Sequence, residues 1–293
     1  MYYREEMCGG SDTSLDTTAP KEIKSDDMIL FDVSSKLNHG LDDPHKNNLL
    51  YAFSCFAAKT AKGSFVYYQK DNDWNSSKRT SNFVYVKKDI FQDLAKLANE
   101  CNLAKNNGYH SHTHGLPEDF GGTVRVLYSS GEKISFSDNS SPILSYDTGC
   151  KICSFFEKAA KEKKIQLPNV DELSEIRYHE EHSGGGYTKA VLSICEDGTG
   201  INKKESKYDT PTVYTKESRI DKETIDYIKE TIGNSLLFAW PDLLKSPYEA
   251  SRNSHMTFVF KNENEITVRD DRELPAQIGD AFFKIQLEIV TKH

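Results

Sequence analysis

The chain has 293 residues, of which 37% are hydrophobic and 28% charged, and its net charge is −8. This length fits two domains of ordinary size, and the composition excludes an intrinsically disordered chain. The negative charge argues against non-specific nucleic-acid binding, which needs a basic surface. No apolar run approaches the roughly 20 residues of a membrane-spanning helix.

Residues 1–27 are polar and rich in Ser, Thr and Asp, which predicts a flexible N-terminal tail. The first residues carry two acids and no apolar core, so they do not form a signal peptide. Cys8-Gly9-Gly10 resembles the start of a mature bacterial lipoprotein. Six cysteines without a regular framework fit a reducing compartment, so the predicted location is cytoplasmic. A cell-envelope lipoprotein anchored at Cys8 is the alternative.

The first half predicts strands followed by helices at regular intervals. Tyr51, Phe53 and Cys55 alternate as in a half-buried strand, whereas Ile90, Leu94 and Leu97 recur at helical spacing. In chain order we predict strands at 28–33, 51–59, 65–68 and 83–87, a helix at 89–101, strands at 123–128 and 133–138, and a helix at 148–162.

The second half follows the same order, and a polar segment with Pro168 separates the halves. A hairpin, 175–182 and 188–196, surrounds three glycines at 184–186. A strand near 213, a helix carrying Ile220, Ile225 and Ile228, strands near 255–260 and 266–270, and a helix after Pro275 follow. This correspondence predicts an internal duplication.

The predicted fold class is α+β. It consists of two tandem repeats of a βββαββα unit, at 28–165 and 172–293, with antiparallel sheets and helices on one face. The two repeats are expected to be related by a pseudo-twofold axis, and a cleft between them would be the natural ligand site.

Three histidines within five residues form the main candidate site. In an extended segment His110, His112 and His114 share one face and could bind a metal, with Glu118 or Asp119 completing the ligand set. The equivalent loop of the second half carries Trp240 and no histidine, so the fold does not require histidine there. Three interpretations stay open: a polar loop whose histidines cap backbone groups, a metal or catalytic site, and a ligand or partner contact without metal.

Other motifs have simpler structural explanations. Cys150 and Cys153 form a lone C-x-x-C, for which packing on a helix face is favoured over zinc or redox chemistry. His179 and His182 fall on opposite faces of a strand, which disfavours shared ligation. The glycines after them favour a turn. Trp240 could contribute an aromatic binding surface.

The segments HGLPEDFGG at 114–122 and SGEKISFSDNSSPIL at 130–144, with APKEIKS at 19–25, resemble uncharacterised duplicated α+β proteins of Gram-positive anaerobes. Some of those proteins resemble lipoproteins, which would suit Cys8. The resemblance implies a fold and no known activity.

The sequence therefore predicts a non-catalytic protein that binds a ligand or partner, with no cofactor and no nucleic acid. The predicted contact residues are His110, His112, His114, Glu118, Asp119 and Trp240. One alternative is a metal-dependent enzyme that holds zinc or another divalent metal at His110, His112 and His114. The other is a lipid-anchored surface protein that makes contacts with partners.

Overall fold

A computed structural model of the chain describes residues 10–37, 50–60, 62–72, 79–116, 121–182, 184–208, 212–238, 253–269 and 276–291. The chain divides into two compact units, the first ending at Ile165 and the second beginning at Gln166. Within the described ranges, no helix is long and apolar enough to cross a membrane.

The first unit is an eight-stranded sheet with two helices. The strands lie in the order β1-β6-β8-β7-β2-β3-β4-β5, and every neighbouring pair is antiparallel except β6 and β8. The elements are β1 (Ser11–Leu15), β2 (Met28–Lys36), β3 (Ala52–Lys59), β4 (Ser64–Asp71), β5 (Arg79–Val86), α1 (Phe91–Glu100), β6 (Tyr109–Thr113), β7 (Gly122–Tyr128), β8 (Lys133–Asp138) and α2 (Tyr146–Ala159).

Alternation along the strands sends apolar side chains toward the helices. Phe31 and Val33 of β2 belong to one buried cluster with Phe91 of α1 and Phe156 of α2. The rings of Phe31 and Phe156 lie 5.6 Å apart, within the range of favourable aromatic contacts. Residues of opposite parity in the strands form the outer face, which is the face of the sheet away from the helices.

The second unit has a six-stranded antiparallel sheet in the order β12-β11-β10-β9-β13-β14. Its two helices cover the face that carries Ile176 and Tyr178, and Gln286 Nε2 donates to the Tyr178 hydroxyl at 2.8 Å. The elements are β9 (Leu173–Glu181), β10 (Tyr187–Ile194), β11 (Gly200–Lys207), β12 (Val213–Ile220), α3 (Lys222–Ser235), β13 (Asn253–Phe260), β14 (Glu265–Arg269) and α4 (Ala276–Gln286), which a π-helical turn, Leu287–Thr291, extends.

The predicted α+β class with antiparallel sheets is confirmed, but the predicted βββαββα unit has the wrong number of strands. Four strands precede the first helix in the order β2-β3-β4-β5 and again in β9-β10-β11-β12. The additional strand in the second half is β11, whose sequence GINKKESK has too few apolar residues for an alternating pattern. Its core positions are filled by Gly200, Asn202 and Ser206 instead.

Residues 11–27, within the segment predicted as a tail, run along the edge of the first sheet and are called the strap below. Its first part, β1, pairs with β6 over five residues. Further along, the backbone N–H groups of Lys24 and Ser25 donate to the Glu132 carboxylate at 3.0 and 2.9 Å. The strap is therefore bonded to the sheet at both ends.

Asn107 holds the middle of the strap. Its side-chain amide donates to the carbonyl oxygens of Pro20 and Lys133 at 2.9 and 2.8 Å, and its side-chain oxygen accepts from Ser135 N at 2.7 Å. Lys21 Nζ donates to the Asn107 carbonyl oxygen. Asn107 itself is only 1% exposed, so its side-chain amide is satisfied by these protein groups.

We expect Asn107→Ala to lower the free energy of unfolding of the first unit by about 1–3 kcal/mol, because backbone groups of Pro20, Lys133 and Ser135 lose the partner that the buried Asn107 amide provides. Urea denaturation of the full chain would measure the shift in midpoint. Asn99→Ala, on the exposed side of α1, is the control and should change stability by less than about 0.5 kcal/mol. Equal effects of the two substitutions would contradict the role given to Asn107.

Candidate ligand-binding site

The histidine-rich run forms the short strand β6 between the strap and β8. His110 and His112 lie opposite Ser14 and Asp12 of β1. On its other edge β6 pairs in parallel with β8 at two positions, His110 with Ser137 and Ser111 with Asp138. The backbone is extended here, as the predicted shared face of the histidines requires, and His110 and His112 lie on one face of the strand.

A hydrogen bond fixes His110 on the outer face of the sheet. Its Nδ1 lies 2.9 Å from Ser137 Oγ. The neighbouring residue Tyr109 points the other way and packs against the helix-side core. The imidazole of His110 therefore stands beside a hydroxyl group on the surface of β8.

Asn139 clamps the far end of β6. Its side-chain oxygen accepts from Thr113 N at 2.6 Å, and its side-chain nitrogen donates to the Thr113 carbonyl oxygen at 3.0 Å. These two bonds replace the ladder bonds that a longer strand pair would form. They hold the segment between His112 and His114 against the end of β8.

His112 and His114 contact each other and the strap. Their rings meet edge to face at 5.2 Å. His114 Nε2 lies 3.0 Å from Asp12 Oδ2, and both side chains are more than half exposed. A surface pair of this kind contributes little to stability. It does give β1 a polar contact with β6 in addition to the backbone ladder.

Asp138, at the end of β8, organises the turn that follows. Its carboxylate accepts from Ser140 N and Ser140 Oγ, both at 2.7 Å, and from Ser141 Oγ at 3.1 Å. Burial acts to raise the pKa of this carboxyl, but the hydrogen bonds from Ser140 and Ser141 outweigh it and hold the pKa below its usual value.

Two cavities adjoin at His110. The larger, about 690 Å³, lies between the strap and the ends of β7 and β8 and includes Asp12, Ser14, His112, Thr123 and Ser137 in its lining. The smaller, about 440 Å³, includes Asn107, Glu132, Lys133 and Ser135. Cavities of this size accommodate small molecules. Their linings are largely polar, so a ligand would be held by hydrogen bonds.

The larger cavity opens onto a line of polar residues that crosses the whole outer face of the first sheet, one from each strand. We call it the hydroxyl row. Register places its members side by side in the order Ser14, His110, Ser137, Thr123, Ser34, Ser54, Gln69 and Ser81. It carries no residue of fixed charge, so its surface consists of hydroxyl, amide and imidazole groups.

The groups that line this site include hydrogen-bond donors and acceptors. His110 and Ser137 have the spacing of a base and a nucleophile, but such pairs also need a group that orients the base. Among the residues that the structure describes, none bonds His110 Nε2, and no group of three or more His, Cys, Asp or Glu side chains is arranged to hold a metal ion.

The structure brings together only part of the predicted site. His110 and His112 line the same cavity, and His114 lies beside them. Glu118, Asp119 and Trp240, like the proposed anchor Cys8, lie outside the described residues. The sequence missed Asp12, Ser14, Ser137 and Asn139. The strap residues have no apolar period that would predict a strand, and the hydroxyl row is visible only after register is known.

The cysteine pair lies on α2, as the packing interpretation predicts. Cys153 is buried, and Cys150 is partly exposed. Burial raises the pKa of the Cys55 thiol far above its usual value, and a hydrogen bond with Cys153 raises it further. A buried thiol with a raised pKa is a poor nucleophile, so Cys55 serves as a core side chain.

Comparison of the chain with known protein families and with characterised proteins finds no match.

Gly121 and Gly122 let β7 enter the sheet beside the larger cavity, which we call the groove. A Cβ on Gly121 would overlap the Asp138 carbonyl oxygen. We expect Gly121→Ala to destabilise the first unit by several kcal/mol, because the obstacle is backbone and cannot rotate away. Gly10→Ala is the matched control, since its Cβ would meet nothing within 4 Å. Thermal unfolding of both variants would test this, and a neutral Gly121→Ala would contradict the close approach.

The Asp138 turn predicts a pH dependence. The folded-state pKa of Asp138 is depressed, so its contribution to stability is complete above the unfolded pKa of about 3.9 and is lost as pH falls through the folded pKa. The free energy of unfolding declines as pH falls below about 4, and Asp138 accounts for part of that decline. This part should be absent in Asp138→Asn. Urea midpoints from pH 6 to pH 2.5 would measure it. Asp226→Asn, exposed on α3, serves as control.

Proposed function

We propose that the protein is a non-catalytic binding protein whose first unit takes an uncharged, hydrogen-bonding ligand in the groove beside His110. The single observation that supports this most is the hydroxyl row, which continues from the groove without a fixed charge. Ligands rich in hydroxyl or amide groups, such as sugars or short neutral peptides, complement such a surface.

The size of the groove agrees with a small ligand. Ser14, His110, Ser137 and Thr123 lie on four neighbouring strands. At about 4.8 Å between strands they extend over roughly 14 Å. His110 lines both cavities, so its imidazole is accessible to a ligand in either of them. The groove therefore offers several donors and acceptors to one molecule.

We further propose that the two units arose by duplication of one ββββαββα unit. Supporting this, the strand order β8-β7-β2-β3-β4-β5 of the first sheet has its counterpart in β14-β13-β9-β10-β11-β12 of the second. Each unit also places one helix after its fourth strand and one after its last. The strap and β6 have no counterpart among the described strands of the second unit, which associates the groove with an addition specific to the first.

Binding can be tested by thermal unfolding in the presence of neutral sugars, amides and short uncharged peptides. A ligand at 100 times its Kd should stabilise the first unit by about 2.7 kcal/mol and raise its Tm by a few degrees. The stabilisation should be lost in Ser137→Ala/Thr123→Val, which removes two hydroxyl groups from the groove. The matched control is Ser81→Ala/Thr80→Val, at the far end of the sheet.

Two outcomes would contradict the proposal. Ligands from these classes could leave the Tm unchanged, or their effect could survive in Ser137→Ala/Thr123→Val. Elemental analysis of untagged protein distinguishes the proposed function from the alternative of a metal-dependent enzyme. Stoichiometric zinc, iron or manganese that is lost in His110→Ala/His112→Ala would replace the proposed function with that alternative.

A further inference from the structure

The outer face of the second sheet carries a second line of residues, which we call the charged row. Register places Arg269, His255, His179 and Lys189 side by side on β14, β13, β9 and β10. Glu205 and Thr215 continue the row on β11 and β12. Four neighbouring strands thus present two adjacent histidines with one cation on each side.

The two histidines form the centre of this row. Their ring centroids are 5.2 Å apart with an angle of 50° between the rings, and the His179 side chain is 26% exposed. Burial lowers the pKa of His255, the charges of His179 and Arg269 lower it further, and Glu181 acts in the opposite direction. The neighbours that oppose protonation of His255 outweigh the one that favours it.

We propose that this face of the second unit binds an oxyanion of the phosphate class between His179 and His255, with Arg269 and Lys189 on either side. Two imidazoles at this separation can each donate to a different oxygen of one tetrahedral anion. Hydrogen bonds between charged partners are about twice as strong as neutral ones. The site is independent of the groove in the first unit.

Charged residues on the adjoining strands pair with one another, so they do not occupy the space between His179 and His255. Arg177 is held by Glu175 at 2.6 Å and by Glu265 at 2.8 Å. Glu205 accepts from the Tyr187 hydroxyl at 2.6 Å, and Lys203 lies 3.6 Å from Glu217. These carboxylates therefore already have partners of their own.

Among the described residues, the carboxylate of Glu181 lies against His179 and competes with an anion for it. Its carboxylate lies 3.6 Å from His179 Nε2 and is 62% exposed. An exposed carboxylate at this distance is a weak and displaceable partner. Because the negative charge of Glu181 competes with an anion for His179, removing that charge should strengthen anion binding.

The first sheet provides a comparison at the same position. Counted from the β13–β14 turn, where Val259 pairs with Glu265, the His255–Arg269 pair lies four residues away. Four residues from the Leu127–Lys133 pair of β7 and β8 lies Thr123–Ser137, in the hydroxyl row. The sheet architecture therefore accepts neutral side chains here, and packing does not account for the histidines and cations of the second unit.

The test is titration of the full chain with inorganic phosphate at low ionic strength. The NMR signals of the histidine rings report binding. We expect saturable shifts of the His179 and His255 signals, because each imidazole can donate to an oxygen of the anion. Arg269→Ala, exposed on β14, should weaken binding about tenfold. Glu181→Gln should strengthen it, and the control Lys203→Ala should not change it.

A phosphoserine peptide and free phosphate, titrated in parallel, distinguish a protein-borne from a free source of the anion. Tighter binding of either supports the site and identifies its source. Non-saturable shifts that chloride reproduces, or equal affinities in the wild type, Arg269→Ala and Glu181→Gln, would overturn the proposal. Neither result depends on ligand binding in the first unit, so the two proposals fail separately.

Discussion

The pairing of β6 with β8 is the interaction on which the first unit's groove depends. Within the described residues this parallel ladder has two paired positions, too few to hold a strand by themselves. Two asparagines complete it. Asn107 bonds the backbone of β8 ahead of β6, and Asn139 bonds both backbone groups of Thr113 at its end. They add to the bonds that position His110 and the strap.

The two sheets show how one strand order supports different surfaces. Helix-facing positions in both are mostly apolar, because most of those side chains must be removed from water. Outer-face positions vary more, since some are polar whereas others, such as Phe65 and Tyr67 of β4, are buried. The first sheet has hydroxyl groups in the row where the second has Arg269, His255, His179 and Lys189. The strap and β6 add Ser14 and His110 to the first row, so the unit with a neutral row also has the groove.

Sequence patterns predicted most of the helices and core strands, because apolar periodicity reports which side chains are buried. They failed where a strand has no buried apolar face. The strap strand β1 has exposed side chains throughout, and β11 fills its core positions with Gly200, Asn202 and Ser206. Both strands are held by backbone bonds to neighbours, which no local pattern records. The histidine run was identified as a candidate site, but its partners Asp12 and Ser137 are distant in sequence.

The sequence by itself determined the α+β class, the two-unit organisation of similar elements and the face shared by His110 and His112. These follow from local periodicity, since burial of one face of a strand or helix repeats along the chain. Only the tertiary structure decided that the N-terminal segment forms a strap, that Ser137 faces His110 and that His179 lies beside His255. Those contacts depend on strand order and register, which are set by packing between residues far apart in the chain.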